Sequence, residues 1–408
     1  MRQPHTAGTA PESPECDVVV VGAGPAGAAT AIWLARAGRR VTMLDRAHFP
    51  RDKPCGEYLN PGVVDALRRI GMLDAVIDGG VSHLRGMHIR HGSTDFLVDY
   101  VRNGDPELGI GVRRSVLDST LVAGARDAGV TVLEGVRATG LERDATGTVT
   151  GVASSDGTGG EDAICARFTV GADGRNSMVS RALGLDARPR GPQRMGLVAH
   201  YTCTTVADVG QMFVGESSYC GIAAVGNGAV SVGLVVPMGI KPAGQSTQEF
   251  FDAQLDFVPG VTDCLAGGSQ VGAISGAAPL ARRVSHASGP GYVLVGDAAG
   301  FLDPFTGEGI HRALRGAELA ADAIDTALER QLTSADGYDE ARVEAFRSKD
   351  RVCLLVQTFL RSERGLDYAL RRLARRPHVS RVFSDVLGDY RPAGDALRPG
   401  IIATLLRP

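Results

Sequence analysis

Residues 17–21 read DVVVV, an apolar run that passes through GAGPAG into AATAIWLARAG, where apolar positions recur every three to four residues as far as Gly38. A second apolar run, Val41 to Leu44, ends in Asp45-Arg46. A strand buried on both faces, a helix and a parallel strand within about 30 residues predict a βαβ unit. Farther on, VVDALRRIGML has helical spacing, residues 80–110 alternate as strands do, and SVLDSTLVAGARDAG predicts a helix. VTVLEGVRATGLERD and TVTGVASSDG predict strands on either side of a hairpin tip near Asp144 to Gly147, and ARFTVGADG predicts a strand ending in a turn.

Between about 190 and 285 the texture changes to short β-like runs, RMGLVAHYTC, QMFVG and GAVSVGLVV, with one helix at QSTQEFFDAQL. This predicts a second, mainly antiparallel unit. YVLVGDAAG then returns the chain to the first unit, ahead of a long helix from about 309 to 330. Arginine-rich amphipathic segments from 338 onward predict a helical C-terminal region. The expected organisation is a disordered tail over 1–15, a discontinuous nucleotide-binding domain (16–80, 105–185, 286–335), a substrate domain (81–104, 186–285) and C-terminal helices over 336–408.

Composition changes this picture little. With 408 residues and 44% hydrophobic content the chain can bury a large core, and its length favours two domains. A formal net charge of −3 gives no field that would recruit nucleic acid. The seven cysteines are scattered without a C-x-x-C pair, which argues against a disulfide framework, a zinc site or an iron–sulfur cluster. No metal ligand set is expected. MRQPHTAGTAPESPEC lacks an uninterrupted apolar stretch and no segment approaches 18 uncharged apolar residues, so a cytoplasmic location without an integral membrane segment is expected.

The chemistry begins at Gly22-Ala23-Gly24-Pro25-Ala26-Gly27, between strand and helix. The first glycine permits the tight turn, the second lets backbone approach a pyrophosphate, and the third allows close packing of helix on strand. The helix start offers unpaired N–H groups to the phosphates. Asp45, 23 residues after Gly22, is placed to accept hydrogen bonds from an adenosine ribose. A dinucleotide is therefore expected.

Two further strands end in acids, at Asp173-Gly174-Arg175 and at Gly296-Asp297, and the second is followed by P-x-x-G-x-G at Pro304 to Gly309. Together these motifs resemble the FAD-dependent oxidoreductase superfamily typified by p-hydroxybenzoate hydroxylase, geranylgeranyl reductases and flavin-dependent halogenases. The resemblance covers residues 16 to about 330. It implies an α/β (α+β) architecture, with a Rossmann-like FAD-binding domain and an antiparallel substrate domain, and FAD as the cofactor. It also implies that Asp173 and Gly296-Asp297 reach the cofactor, Asp297 at the ribityl chain. Pro304 lines the flavin, and Gly307 and Gly309, with Ile310 beside them, bring backbone N–H groups to the pyrimidine edge, where a helix N-terminus stabilises the charge of the reduced ring. Arg114, in R-x-x-L-D, matches the family arginine at the phosphates or ribityl, with Arg113 its competitor. Arg46 and Ala138 match positions near the adenine. The stretch Phe49-Pro50-Arg51-Asp52-Lys53-Pro54-Cys55-Gly56-Glu57 is similar to F-P-R-x-K-x-C-G of the geranylgeranyl-reductase-like branch, whose loop crosses the flavin. It brings Cys55 and Gly56 to the ring, with the thiol either packing or touching it.

The resemblance leaves several reactions open. Halogenation requires a channel lysine and a W-x-W-x-I-P-type segment, yet no lysine lies between Lys53 and Lys241, and the only tryptophan is Trp33. Prenyl C=C reduction is supported by the KPCG loop, but the Y-x-W-x-F-P segment of those reductases stands here as Tyr219-Cys220-Gly221-Ile222-Ala223-Ala224. Oxygenation of an aromatic or polyketide-like small molecule is the leading expectation, with electrons from NAD(P)H or a separate reductase; a flavin dehydrogenase and a non-catalytic electron-transfer partner are the alternatives. Candidate pocket residues are Met195, His200, Met212, Tyr219 and Phe305, together with Tyr201, Phe213 and Cys220. His311 and Cys55 are the candidates for a catalytic role, His311 because its imidazole titrates near neutrality.

Overall fold

The computed structural model describes residues 14–160, 162–189, 191–202 and 207–406. Most of the tail expected over 1–15 lies outside the described residues, and so does Cys203. Four parallel strands, Thr131–Glu134, Val41–Asp45, Cys16–Val21 and Asp162–Gly171, lie side by side, and Tyr292–Leu294 extends the sheet beyond Asp162–Gly171. Val18, Val19 and Val20 are fully buried, the condition under which a strand needs no polar alternation. The first half of Asp162–Gly171 diverges to pair antiparallel with Val149–Ser155, which pairs in turn with Arg137–Arg143.

Helix Pro25–Arg36 packs against helices Gly309–Glu329 and Arg114–Asp127, and its Ala28, Ala29, Ala31, Ile32 and Leu34 are fully buried. Two glycines set this contact. Gly22 has φ +101°, and a Cβ there would stand 2.6 Å from the Ala172 carbonyl oxygen; a Cβ on Gly27 would stand 1.8 Å from the Gly22 oxygen. Turn, helix and strand end are thus pressed together as the glycine spacing requires.

The second sheet has seven strands in the order Ser269–Ala277, Arg194–Thr202, Ala229–Pro237, Tyr219–Ala224, Gly210–Val214, Gly86–His91, Thr94–Asp99. Every pairing is antiparallel except that of Gly210–Val214 with Gly86–His91. Period-two alternation divides its residues. Leu197, Ala199, Cys220, Ile222, Val230, Val232, Leu234 and Val236 face helix Thr247–Asp256 and its Phe250, Phe251 and Leu255. The helix starts at a capping box in which the Ser246 and Glu249 side chains satisfy each other's backbone N–H groups. The opposite sheet face looks toward the nucleotide-binding unit.

Helices Tyr338–Phe359, Glu363–Arg375, Pro377–Leu387 and Pro399–Leu406 follow. Leu360, Leu366 and Leu370 join Met212, Tyr219 and Phe305 in one apolar cluster, so this region closes one end of the space under the sheet. Among the described residues no helix is long and apolar enough to cross a membrane.

Candidate functional site

A cavity lies between the glycine-rich turn, the Lys53–Tyr58 loop, the Gly296–Ile310 segment and the inner face of the seven-stranded sheet. At its polar end two guanidinium groups meet the start of helix Pro25–Arg36. Arg114, the first residue of helix Arg114–Asp127, is buried and donates to both carboxylate oxygens of Asp118 at 2.8 Å. Arg113 turns outward to Asp52 at 3.2 Å. The N-cap geometry decides between these neighbours, since the helix carries Arg114 inward over its own next turn to meet Asp118 at i+4. Arg51 joins the same pair, with Nη1 3.0 Å from Asp118 Oδ2, yet that Nη1 is buried without an aligned hydrogen-bond acceptor among the described residues. A Cβ on Gly24 would stand 3.7 Å from Arg51 Nη2 and 3.9 Å from Arg114 Nη2. Bare helix-start backbone thus faces two forked cations, the donor set a diphosphate requires.

Lys53 adds a third cation. Its Nζ lies 3.2 Å from where a Gly174 Cβ would be, and it makes no hydrogen bond or ion pair among the described residues. Burial, then the Arg114 and Arg51 charges, hold its pKa below the ordinary lysine value. An anionic ligand would relieve that crowding, and the residues present fit the phosphate-bearing part of FAD. Arg51 and Lys53 were quoted in the F-P-R-x-K motif without a role; their spacing of six and eight residues after Asp45 is the signal that could have marked them.

Asp45 ends its strand with one carboxylate oxygen accepting the Ala23 N–H and the other the Ala47 N–H, each at 2.9 Å. Val136 donates its N–H to the Asp45 carbonyl at 3.0 Å, which brings the Ala138 hairpin beside this strand end, while Arg46 is exposed. Asp173 faces elsewhere: its Oδ2 accepts the Met178 and Val179 N–H groups at 2.5 and 3.3 Å and caps helix Met178–Ala182, while its neighbours Ala172 and Gly174 line the cavity.

Gly24, Pro25, Ala26, Cys55, Gly56, Gly296, Asp297, Pro304, Phe305, Gly307, Gly309 and Ile310 all border the cavity. The turn before the long helix is braced from the second sheet. Buried Asp303 accepts the Phe305 N–H at 3.0 Å, the Tyr219 hydroxyl at 2.6 Å and Arg194 Nη1 at 2.8 Å. Burial, then the Asp303 charge, keep the Tyr219 phenol pKa well above its usual value, so Tyr219 stays a donor. Cys55 Sγ accepts the Glu57 N–H at 3.4 Å. Burial raises its pKa against the pull of Arg114, which leaves a protonated thiol and no nucleophile.

Of the pocket candidates, Met212, Tyr219 and Phe305 line the cavity. Met195, Tyr201, Phe213 and Cys220 belong to the helix-covered face of the sheet. His200 does not line the cavity; its Nε2 lies 2.7 Å from Oε2 of Glu57, which does. Glu57 closes the same F-P-R-x-K-x-C-G stretch, where no role was expected of it; it is 1% exposed, has φ +56°, and its Oε1 accepts the Arg114 N–H at 2.7 Å.

His311 does not line the cavity. Its Nδ1 lies 3.4 Å from Asp389 Oδ2, in a buried cluster where Lys349 and Asn60 also contact Asp389, at 2.5 and 2.7 Å. Burial lowers the His311 pKa, with Lys349 adding to the effect and Asp389 opposing it. A folded-state histidine pKa below the unfolded value of about 6.5 contributes stability that is complete above that pH and lost as pH falls through it. Melting temperature should therefore drop between pH 7 and 5, and His311→Gln should flatten that drop; an identical slope in both proteins would refute this account.

Residues 15–347 match the family model described as FAD binding domain. The menaquinone reductase of Mycobacterium tuberculosis is 33% identical over 326 residues, covering 76% of each chain. Digeranylgeranylglycerophospholipid reductase 1 of Methanococcoides burtonii is 30% identical, covering 76% of this chain and 75% of that protein. Among solved structures, the flavin-dependent brominase Bmp2 superposes with a TM-score of 0.81 at 20% identity, over 95% of this chain and 98% of that one, a likeness of fold.

Proposed function

The chain belongs to the FAD binding domain family and is an FAD-dependent oxidoreductase; from that premise we propose that it is a monooxygenase acting on a flat, largely apolar aromatic or polyketide-like molecule. Bound FAD supplies the redox chemistry and oxygen activation. Around it this chain's residues bind, orient and exclude water. Arg51, Arg114 and the backbone at Gly24 would hold the diphosphate, and the start of helix Gly309–Glu329 would face the pyrimidine edge with its N–H groups.

The observation that carries the reading is the shape of the sheet wall opposite Pro304–Gly309. Gly221 and Gly233 lie directly across from each other on adjacent strands. A Cβ on Gly221 would meet only Met212, at 3.5 Å, and one on Gly233 would meet the Gly221 oxygen and Gly56 Cα at 3.8 Å. The wall is therefore recessed to the backbone over two strands. Leu280, Val235, Tyr219 and Phe305 line the same cavity, and a bare backbone strip of this kind would accept a flat ring lying against it. Tyr219, Gly221 and Ala223 occupy the inward positions at which the Y-x-W-x-F-P pattern carries tyrosine, tryptophan and phenylalanine, so the recess replaces two large rings. Lys53 stands on the phosphate side against Gly174, and no lysine lines the sheet wall among the described residues.

A second reading, reduction of a C=C bond in an isoprenoid-like chain, is favoured by the two relatives named as reductases and by the KPCG loop. Single turnover separates the two without presupposing an electron donor. FAD-loaded protein is photoreduced, mixed with candidate phenols or polyprenyl alkenes, and exposed to ¹⁸O₂. The proposal expects one labelled oxygen atom in a phenolic product; saturation of an alkene under anaerobic conditions, with no labelled product, would replace it with the second reading. NAD(P)H as the physiological donor would show as substrate-stimulated flavin reduction by NADH or NADPH.

A further inference from the structure

If helix Gly309–Glu329 starts at the flavin's pyrimidine edge, as the proposed function has it, then four buried polar side chains stand where they can aim that start. Asp303 precedes the Pro304–Thr306 turn, Tyr219 and Arg194 belong to two strands of the second sheet, and Gln357 to helix Tyr338–Phe359. Asp303 Oδ1 accepts the Tyr219 hydroxyl and the Phe305 N–H, while Oδ2 takes Arg194 Nη1, which also donates to Gln357 Oε1 at 2.7 Å. The Arg194 guanidinium lies over the Tyr219 ring, 5.4 Å from its centre, and that ring meets Phe305 edge to face at 5.1 Å.

The setting is otherwise apolar, since Met212, Val235, Leu280 and Leu360 share one cluster with Tyr219 and Phe305. A buried ion pair in such a place adds little stability, because apolar side chains of similar volume would serve as well. What the network supplies is position. It holds the Asp303 carboxylate from both the sheet and the C-terminal helices, and that carboxylate holds the Phe305 N–H at the start of the turn. Gly307 follows at φ +66°, a conformation that glycine adopts without strain. Gly309 and Ile310 then border the cavity, and their N–H groups make no hydrogen bond among the described residues. Donors held in place before charge develops stabilise it most, because nothing has to reorganise around them.

We propose that Asp303, tied to Tyr219, Arg194 and Gln357, is a positioning residue that sets how strongly the helix start at Gly309 favours reduced over oxidised flavin. The four side chains act through the turn and need not touch the cofactor. Gln357 is the clearest case, for it does not line the cavity and reaches the turn only by way of Arg194 and Asp303. The C-terminal helices thereby gain a share in the redox behaviour of a site they do not border.

The test is the midpoint potential of the bound flavin in FAD-loaded native protein, Tyr219→Phe and Gln357→Leu, with flavin content and a melting curve for each. Both substitutions are neutral, so neither moves the potential by adding or removing a charge. Tyr219→Phe keeps the ring against Phe305 and removes one donor to Asp303; it is expected to weaken the preference for reduced FAD at least tenfold, a potential lower by about 30 mV for a two-electron couple. Gln357→Leu removes the second acceptor of Arg194 Nη1 and should shift the potential the same way by at least threefold in that preference. Gln357 Nε2 is buried without a partner, so leucine also removes an unsatisfied group and the protein should fold. A purely structural role would lower the melting temperature or flavin content and leave the potential alone. Native potential in Tyr219→Phe, or a shift in Tyr219→Phe with none in Gln357→Leu, overturns the network's role; if Tyr219→Phe fails to fold, Gln357→Leu decides alone. A native potential no higher than that of free FAD would instead remove the placement of the helix start at the pyrimidine edge.

Discussion

Arg114→Ala is expected to purify without flavin and to unfold at a lower temperature. Asp118 is 0% exposed, and Arg114 is its bidentate partner, with Arg51 the one other cation in contact among the described residues. Removing one member of a buried pair costs roughly 3–5 kcal/mol because the other charge is left desolvated. Arg51 should hold the loss near the lower end of that range. The same substitution strips one of two guanidinium forks from the helix start at Gly24, where a diphosphate would otherwise meet a preorganised donor set. Arg114→Lys keeps the charge without the planar fork, so it should recover stability better than flavin content. Arg113→Ala serves as the control, because its side chain pairs with exposed Asp52 and should shift stability by no more than about 0.5 kcal/mol. The ratio of absorbance near 450 nm to that at 280 nm, with a melting curve, reads both effects. Full flavin content in Arg114→Ala would remove the phosphate role assigned to this arginine.

How much of this was legible in the chain depended on whether a signal was local. Gly22, Gly24, Gly27 and Asp45 announce themselves because turn geometry, helix start and strand end fall within one βαβ unit, and the structure shows the contacts that forbid a Cβ at Gly22 and Gly27. The Gly296–Ile310 segment was readable for the same reason. The sheet wall was not. Met195 and Met212 look equivalent as residues, but which face of an alternating strand meets the cavity is fixed by packing against helix Thr247–Asp256, not by the strand's own pattern. Gly221 and Gly233 become one recess only when two strands align in register. His311 follows cavity-lining Ile310, but one helical step of about 100° turns it to Asp389, whose place beside the long helix has no local signature. Glu57 was hidden because its role joins the loop, helix Arg114–Asp127 and His200, three segments far apart in sequence.

Filling the recess should separate substrate binding from cofactor binding. Gly221→Trp is expected to lower kcat/KM at least 100-fold for whichever phenol the isotope-label screen identifies, with flavin content unchanged. The backbone at Gly221 lies outside the left-handed region, and the one side chain near its new Cβ is flexible Met212 at 3.5 Å, so the protein should tolerate the indole. Replacing a strand glycine also removes an entropic penalty of about 0.5–1 kcal/mol, which offsets part of any repacking strain. A 100-fold loss corresponds to about 2.7 kcal/mol of transition-state binding, the scale expected when a ring is excluded from its slot rather than merely tilted. Gly233→Ala adds one methyl at 3.8 Å from Gly56 Cα and should cost far less, giving a graded series along the same wall. The measurement is steady-state turnover alongside flavin occupancy. Native turnover by Gly221→Trp at full occupancy would place the substrate elsewhere, because an indole and a ring substrate cannot occupy one recess at the same time.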